Sequence, residues 1–178
     1  VLAHELFHHW NPRQLPLAEP DGVMRWFSEG FADYYASIVE LRAGLTTLPE
    51  YVDVVNARLS SLFRSGARAV SNGQAAEGFW SDPAYQNLPY QRGAILAANW
   101  NAQIKRAGSD ASLDDAMRDL LRQTRASHSP PPISAATVAK VMEERGVATA
   151  GDDVKRIVDE GNLPTPDATA LGPCVTLT

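Results

Sequence analysis

Apolar residues recur along most of this chain at helical rather than alternating spacing. Met24–Ala43 is a continuous apolar, aromatic-rich run that stops at Gly44, and a glycine just past a periodic run is a helix-stop signal. Val52, Val55, Leu59, Leu62 and Phe63 within residues 48–64 mark one helical face. Residues 65–82 are rich in Gly, Ser and Asn and read as loop, and a helix is expected from about Tyr90 to Ala107, closed by Gly108. Ser112 followed by Asp115 has the form of a capping box opening a helix that carries Leu113, Met117, Leu120 and Leu121. Ser134 caps a helix with Val138, Val141 and Met142, stopped by Gly146, and a short helix from about Asp152 to Glu160 ends at Gly161. At the other end, Val1–Trp10 reads as helix, and Pro12, Pro16, Pro20 and Gly22 make residues 11–22 a loop. No repeat and no strand-rich stretch interrupts this order. The pattern predicts a mainly α-helical chain, with a helical body over 1–161 and a proline-containing tail over 162–178.

Composition narrows the class. The chain has 178 residues, 44% hydrophobic and 21% charged, which is the size and balance of one globular domain. A net charge of −5 with no basic stripe gives no electrostatic footprint for nucleic acid. The single cysteine, Cys174, rules out an internal disulfide and a multi-cysteine metal site. No stretch has the length and apolarity of a transmembrane helix, and no signal peptide is visible. Val1-Leu2-Ala3 leads straight into the richest motif of the sequence. A helix that holds metal ligands needs turns ahead of the first ligand, so the expectation is a fragment cut upstream of His4. Any targeting signal would lie in the missing portion, which leaves the compartment unassigned.

That motif is His4-Glu5-Leu6-Phe7-His8. Positions four apart on a helix share a face, so two imidazoles can converge on one metal ion. Imidazole and carboxylate suit zinc, and a catalytic zinc takes three protein ligands and keeps a position open. Glu5, next to His4, is placed to act as general base without ligating. The plain alternative is a polar surface helix. Trp26-Phe27-Ser28-Glu29-Gly30-Phe31 places one carboxylate in an apolar helix, where an unpaired charge costs several kcal/mol and a zinc ion is a suitable partner. Glu29 is therefore the candidate third ligand. Asp33, one turn on, is a candidate to accept the remaining ring N–H of a ligating histidine; the alternative is a solvated surface aspartate. Tyr90, in Tyr85-Gln-Asn-Leu-Pro-Tyr90-Gln-Arg-Gly93 and expected just before a helix, reads on the residues alone as a packed tyrosine. His9 falls off the His4/His8 face, and His128 lies in a Ser/Pro-rich break.

These segments resemble the gluzincin peptidases, in which a helical His-Glu-x-x-His is completed by a downstream glutamate. The likeness is nearest to the glycyl aminopeptidase family, bacterial enzymes often carrying a PDZ domain. His4-Glu5-Leu-Phe-His8-His-Trp10-Asn11 is similar to that family's zinc helix, and Trp26-Phe-Ser-Glu29-Gly30-Phe-Ala-Asp33-Tyr34-Tyr35 to its third-ligand helix. Pro89-Tyr90-Gln91-Arg92-Gly93 is similar to a Tyr-x-Lys/Arg-Gly segment found there and in alanyl aminopeptidases. The resemblance implies the helical C-terminal lobe of a thermolysin-like catalytic domain. It implies one catalytic Zn2+ on His4, His8 and Glu29, Glu5 as base and Tyr90 as oxyanion donor. It implies a peptide substrate, with amino-terminal glycine or alanine cleaved, and a partner lobe supplied by the missing amino-terminal portion of the same protein. No PDZ-like segment follows. A zinc endopeptidase, and a non-catalytic zinc-stabilised peptide-binding module, are the alternatives; Glu5 would have no task in the second.

Overall fold

Two helices, α2 (Arg25–Arg42) and α5 (Pro83–Arg106), run against each other through the centre of the molecule. The computed structural model describes residues 2–18, 22–108, 110–126, 131–172 and 174–175; His128 lies outside them. Around the central pair stand α1 (Leu2–Phe7), α3 (Leu48–Arg64), α4 (Asn72–Gly78), α6 (Leu113–Arg125), α7 (Ala135–Glu144) and α8 (Ala150–Asp153), the last running on into a wider π-helical turn, Val154–Asp159. The fold is mostly helical, as the pattern predicts. Among the described residues the nearest thing to a sheet is one parallel bridge, Leu17 with Ile133. None of their helices is long and apolar enough to cross a membrane.

The contact of α2 with α5 depends on two glycines. A Cβ on Gly93 would lie 1.8 Å from the Trp26 carbonyl oxygen, and one on Gly30 would lie 2.5 Å from the Gly93 Cα. Both distances are far below contact, so the two backbones touch only because neither position has a side chain. Beside this crossing Trp26, Phe27, Phe31 and Trp100 form a fully buried cluster of edge-to-face and tilted rings. Such pairs add to the energy of burial. The core continues through Leu113, Leu120, Val138 and Met142 of α6 and α7. A smaller cluster, Leu62, Ala67, Ala75, Leu88 and Ile95, packs beneath α3 and α4.

Several boundaries differ from the sequence expectation, each for a local reason. The first helix ends at Phe7, not Trp10. Trp10 and Asn11 both donate to the Phe7 carbonyl (2.9 and 3.1 Å), and the chain tightens into turns. Residues 72–78, expected as loop, form a short helix. Ser71 and Gln74 make a reciprocal capping box that outweighs the two glycines of the segment, while Asn72 and Ala75 become buried. The central helix α5 opens at Pro83, behind an Asp82 cap that accepts from the Ala84 N–H at 2.8 Å. Tyr90 is thus inside a helix, not just ahead of one. Pro89 leaves the Tyr85 carbonyl without its helical donor, a cost of about 3 kcal/mol in an exposed helix, here offset by burial of Leu88, Pro89 and Gln91–Ala97. The segment after Gly161 lies along α5: Asn99 donates to the Thr165 carbonyl and accepts from the Asp167 N–H, and Arg106 pairs with Asp167.

Candidate metal centre and cleft

Three helices deliver the polar cluster. His4 stands on α1, and His8 sits in the first turn beyond it, one turn along the same face. Glu29 and Asp33 project from α2, one turn apart, and Tyr90 comes from α5. Tyr90 precedes Gly93 by three residues and Glu29 adjoins Gly30, so the glycine crossing brings the phenol to the carboxylate.

The ring nitrogens settle their own tautomers. His4 Nδ1 lies 2.8 Å from Asp33 Oδ1, and His8 Nδ1 lies 2.9 Å from the Asn11 carbonyl oxygen. Both partners only accept, so each Nδ1 carries the proton and donates it. Each Nε2 of the neutral rings is then a bare lone pair. The two Nε2 atoms approach to 3.1 Å, and Glu29 Oε2 lies 3.1 Å from the first and 3.4 Å from the second. Three electron-rich atoms thus face one another with no proton among them, half-shielded from water, the side chains 12%, 23% and 22% exposed. Only a cation or an added proton relieves that repulsion. A tetrahedral zinc with ligand distances of about 2.0–2.2 Å spaces its ligand atoms about 3.3–3.6 Å apart. The cluster His4–His8–Glu29 is close to that spacing, so the donor set fits such an ion.

The surrounding groups hold this triangle. Asp33 Oδ2 meets the Arg58 guanidinium of α3 at 3.3 Å, so Asp33 braces His4 while being braced itself. Asn11 is fully buried and donates to the Phe27 carbonyl at 2.9 Å, tying the His8 turn to α2. Sequence reasoning passed over both residues. Arg58 stands on a helix read only for its apolar face, and the contact of Asn11 with His8 is through its backbone, which no side-chain pattern reports. The Tyr90 ring stacks over His4, centroids 6.1 Å apart and 17° from parallel. Its hydroxyl donates to Glu29, and burial first, then the Glu29 charge and that hydrogen bond, push the phenol up to about 12. It therefore stays a protonated donor at neutral pH. Glu5 is exposed and makes no hydrogen bond or ion pair with another described residue. It lines, with His4, Asp33, Glu40, Arg58 and Tyr90, a cleft of about 400 Å³. His9 is exposed, its Nδ1 3.5 Å from Arg13.

Residues 1–95 match the sequence profile of the M61 glycyl aminopeptidase family. That span is more than half of the chain and contains every residue of the cluster. The chain belongs to this peptidase family. Family membership makes peptide-bond hydrolysis the class of reaction to which the cleft is fitted. No curated protein matches the chain.

Proposed function

We propose that this M61 chain is a zinc-dependent peptidase that removes amino-terminal glycine or alanine from peptides. His4, His8 and Glu29 would hold the metal, with Asp33 fixing the ring of His4. The observation that carries this reading is the pair of histidines whose Nδ1 protons are already committed. Their Nε2 lone pairs are turned, with a carboxylate oxygen, on one point. When bound there, zinc supplies a Lewis acid that polarises the scissile carbonyl and acidifies water.

The chain's own residues supply the rest. Glu5, unpartnered and facing the cleft, is free to take a proton from the attacking water and later deliver it to the leaving amine. Tyr90, kept protonated, donates to the negative charge developing on the carbonyl oxygen. This requires its hydroxyl to leave Glu29 when that carboxylate binds the metal. The choice of amino-terminal glycine or alanine follows the family alone.

The test is the metal content of the purified protein at neutral pH, measured beside Glu29→Ala. About one zinc per chain, lost in the variant, is expected; a metal-free protein that stays empty after zinc is added back removes the proposal. Glu5→Gln separates an enzyme from a binding module. It should lose on the order of 10²–10⁴ in peptide hydrolysis with its zinc retained.

A further inference from the structure

The cleft beside His4 and Glu5 has a neighbour that the proposed chemistry leaves unused. Beyond Tyr90 a second cleft, of about 550 Å³, is lined by Phe79, Trp80, Asn87 and Gln91 and shares Asp33, Arg58 and Tyr90 with the first. The two are lobes of one groove meeting at Tyr90. On α3, Tyr51, Val54, Arg58 and Ser61 fall at helical spacing and line one lobe or both, so this helix forms a wall along the groove.

Trp80 stands at the far end of it. The side chain is 81% exposed, although a tryptophan gains more by burial than almost any other residue. A single exposed apolar residue would need no explanation. This one is held in place. It packs edge-on to Phe79, ring centroids 5.0 Å apart, and Arg25 caps Phe79 with its guanidinium 3.9 Å above that ring and 5.7 Å from the indole. The backbone is held as well: Ser81 and Asp82 both donate to the Gly78 carbonyl, at 3.0 and 3.1 Å. An open aromatic face on a fixed turn, in a groove leading from the candidate metal centre, is a platform for an apolar ring, with the Asn87 and Gln91 carboxamides beside it suited to peptide backbone.

We infer that the Phe79–Trp80 cleft is a substrate subsite that takes an aromatic or bulky aliphatic side chain of the bound peptide. The inference rests on the peptidase reading. An aminopeptidase substrate has one residue before the scissile bond, and under that reading it is small. The bulky side chain therefore belongs to the leaving peptide.

Affinities of glycyl-phenylalanine amide and glycyl-alanine amide, measured by calorimetry on zinc-treated Glu5→Gln protein to prevent turnover, test this. The phenylalanine peptide should bind about fivefold to tenfold more tightly, the worth of one ring contact. Trp80→Ala should erase the difference, Trp80→Phe should keep most of it, and neither should alter affinity for the alanine peptide. A preference unchanged by Trp80→Ala overturns the subsite. So does failure of either peptide to bind, or a loss of thermal stability in Trp80→Ala with no change in preference, which would assign the indole to packing. Zinc content and hydrolysis by the protein with Glu5 intact separate the two claims. Zinc-dependent cleavage with a preference indifferent to Trp80 overturns the subsite alone. A Trp80-dependent preference without zinc or cleavage keeps the subsite and removes the peptidase reading.

Discussion

At the scale of single residues, the proton on each Nδ1 decides what the cluster can hold. Asp33 fixes it on His4, and the Asn11 carbonyl fixes it on His8. Asp33→Ala removes the acceptor that orients His4, and losing such a partner weakens metal binding by about 10–100-fold. Competition with a chelator should report that drop, with full occupancy recovered in excess zinc; an unchanged affinity would mean that packing alone orients the ring. Arg58 grips the other oxygen of Asp33, so Arg58→Ala should weaken metal binding in the same direction but by less. The spacing of His4 and His8, and a lone carboxylate in an apolar helix, are legible in the sequence because they are properties of one helix. The Asp33–Arg58 pair joins two helices and has no signature of its own.

At the scale of elements, the site exists because α2 and α5 can touch. Gly93→Ala would drive a Cβ into the Trp26 carbonyl. Overpacking of this kind costs about 1–3 kcal/mol or more, and chemical denaturation should show the loss together with lowered zinc affinity, since Glu29 stands at the same crossing. Gly73→Ala, in α4 with open space at its Cβ, is the control and should be neutral or slightly stabilising. The capping boxes work locally. Thr47 accepts from the Glu50 N–H while the Glu50 carboxylate accepts from Thr47, and Thr47→Ala should cost about 1 kcal/mol in the same assay. Caps of this type at Thr47, Ser112 and Ser134 are why α3, α6 and α7 begin at the positions the pattern predicts. The pattern missed α4 because glycines masked its cap, and it placed the start of α5 too late because Pro89 reads as a boundary.

At the scale of the whole molecule, Tyr34, Tyr35 and Tyr51 lie buried around the junction of α2 and α3, and burial is the largest cause raising each phenol above its ordinary value. A folded value above the unfolded one favours the fold only while the group is protonated. Their contribution is complete below the reference value of about 10 and is lost as pH rises through the higher folded values. The protein should keep its helical circular dichroism to beyond pH 10 and then unfold as tyrosinate absorbance appears. Tyrosinate formed near pH 10 with the fold intact would contradict this placement of the rings.

By itself the sequence determined the helical class, most helix starts and stops, the pairing of His4 with His8, and family membership. Each depends on residues near one another in the chain, whose relations are set by helix geometry and capping. Tertiary structure alone decided that Glu29 and Tyr90 would meet over His4, that Arg58 would stand behind Asp33, and that Trp80 would remain open in a groove. Those relations depend on where helices cross. That follows from the absence of two side chains at Gly30 and Gly93 and from the summed packing of the core, quantities spread over the whole chain.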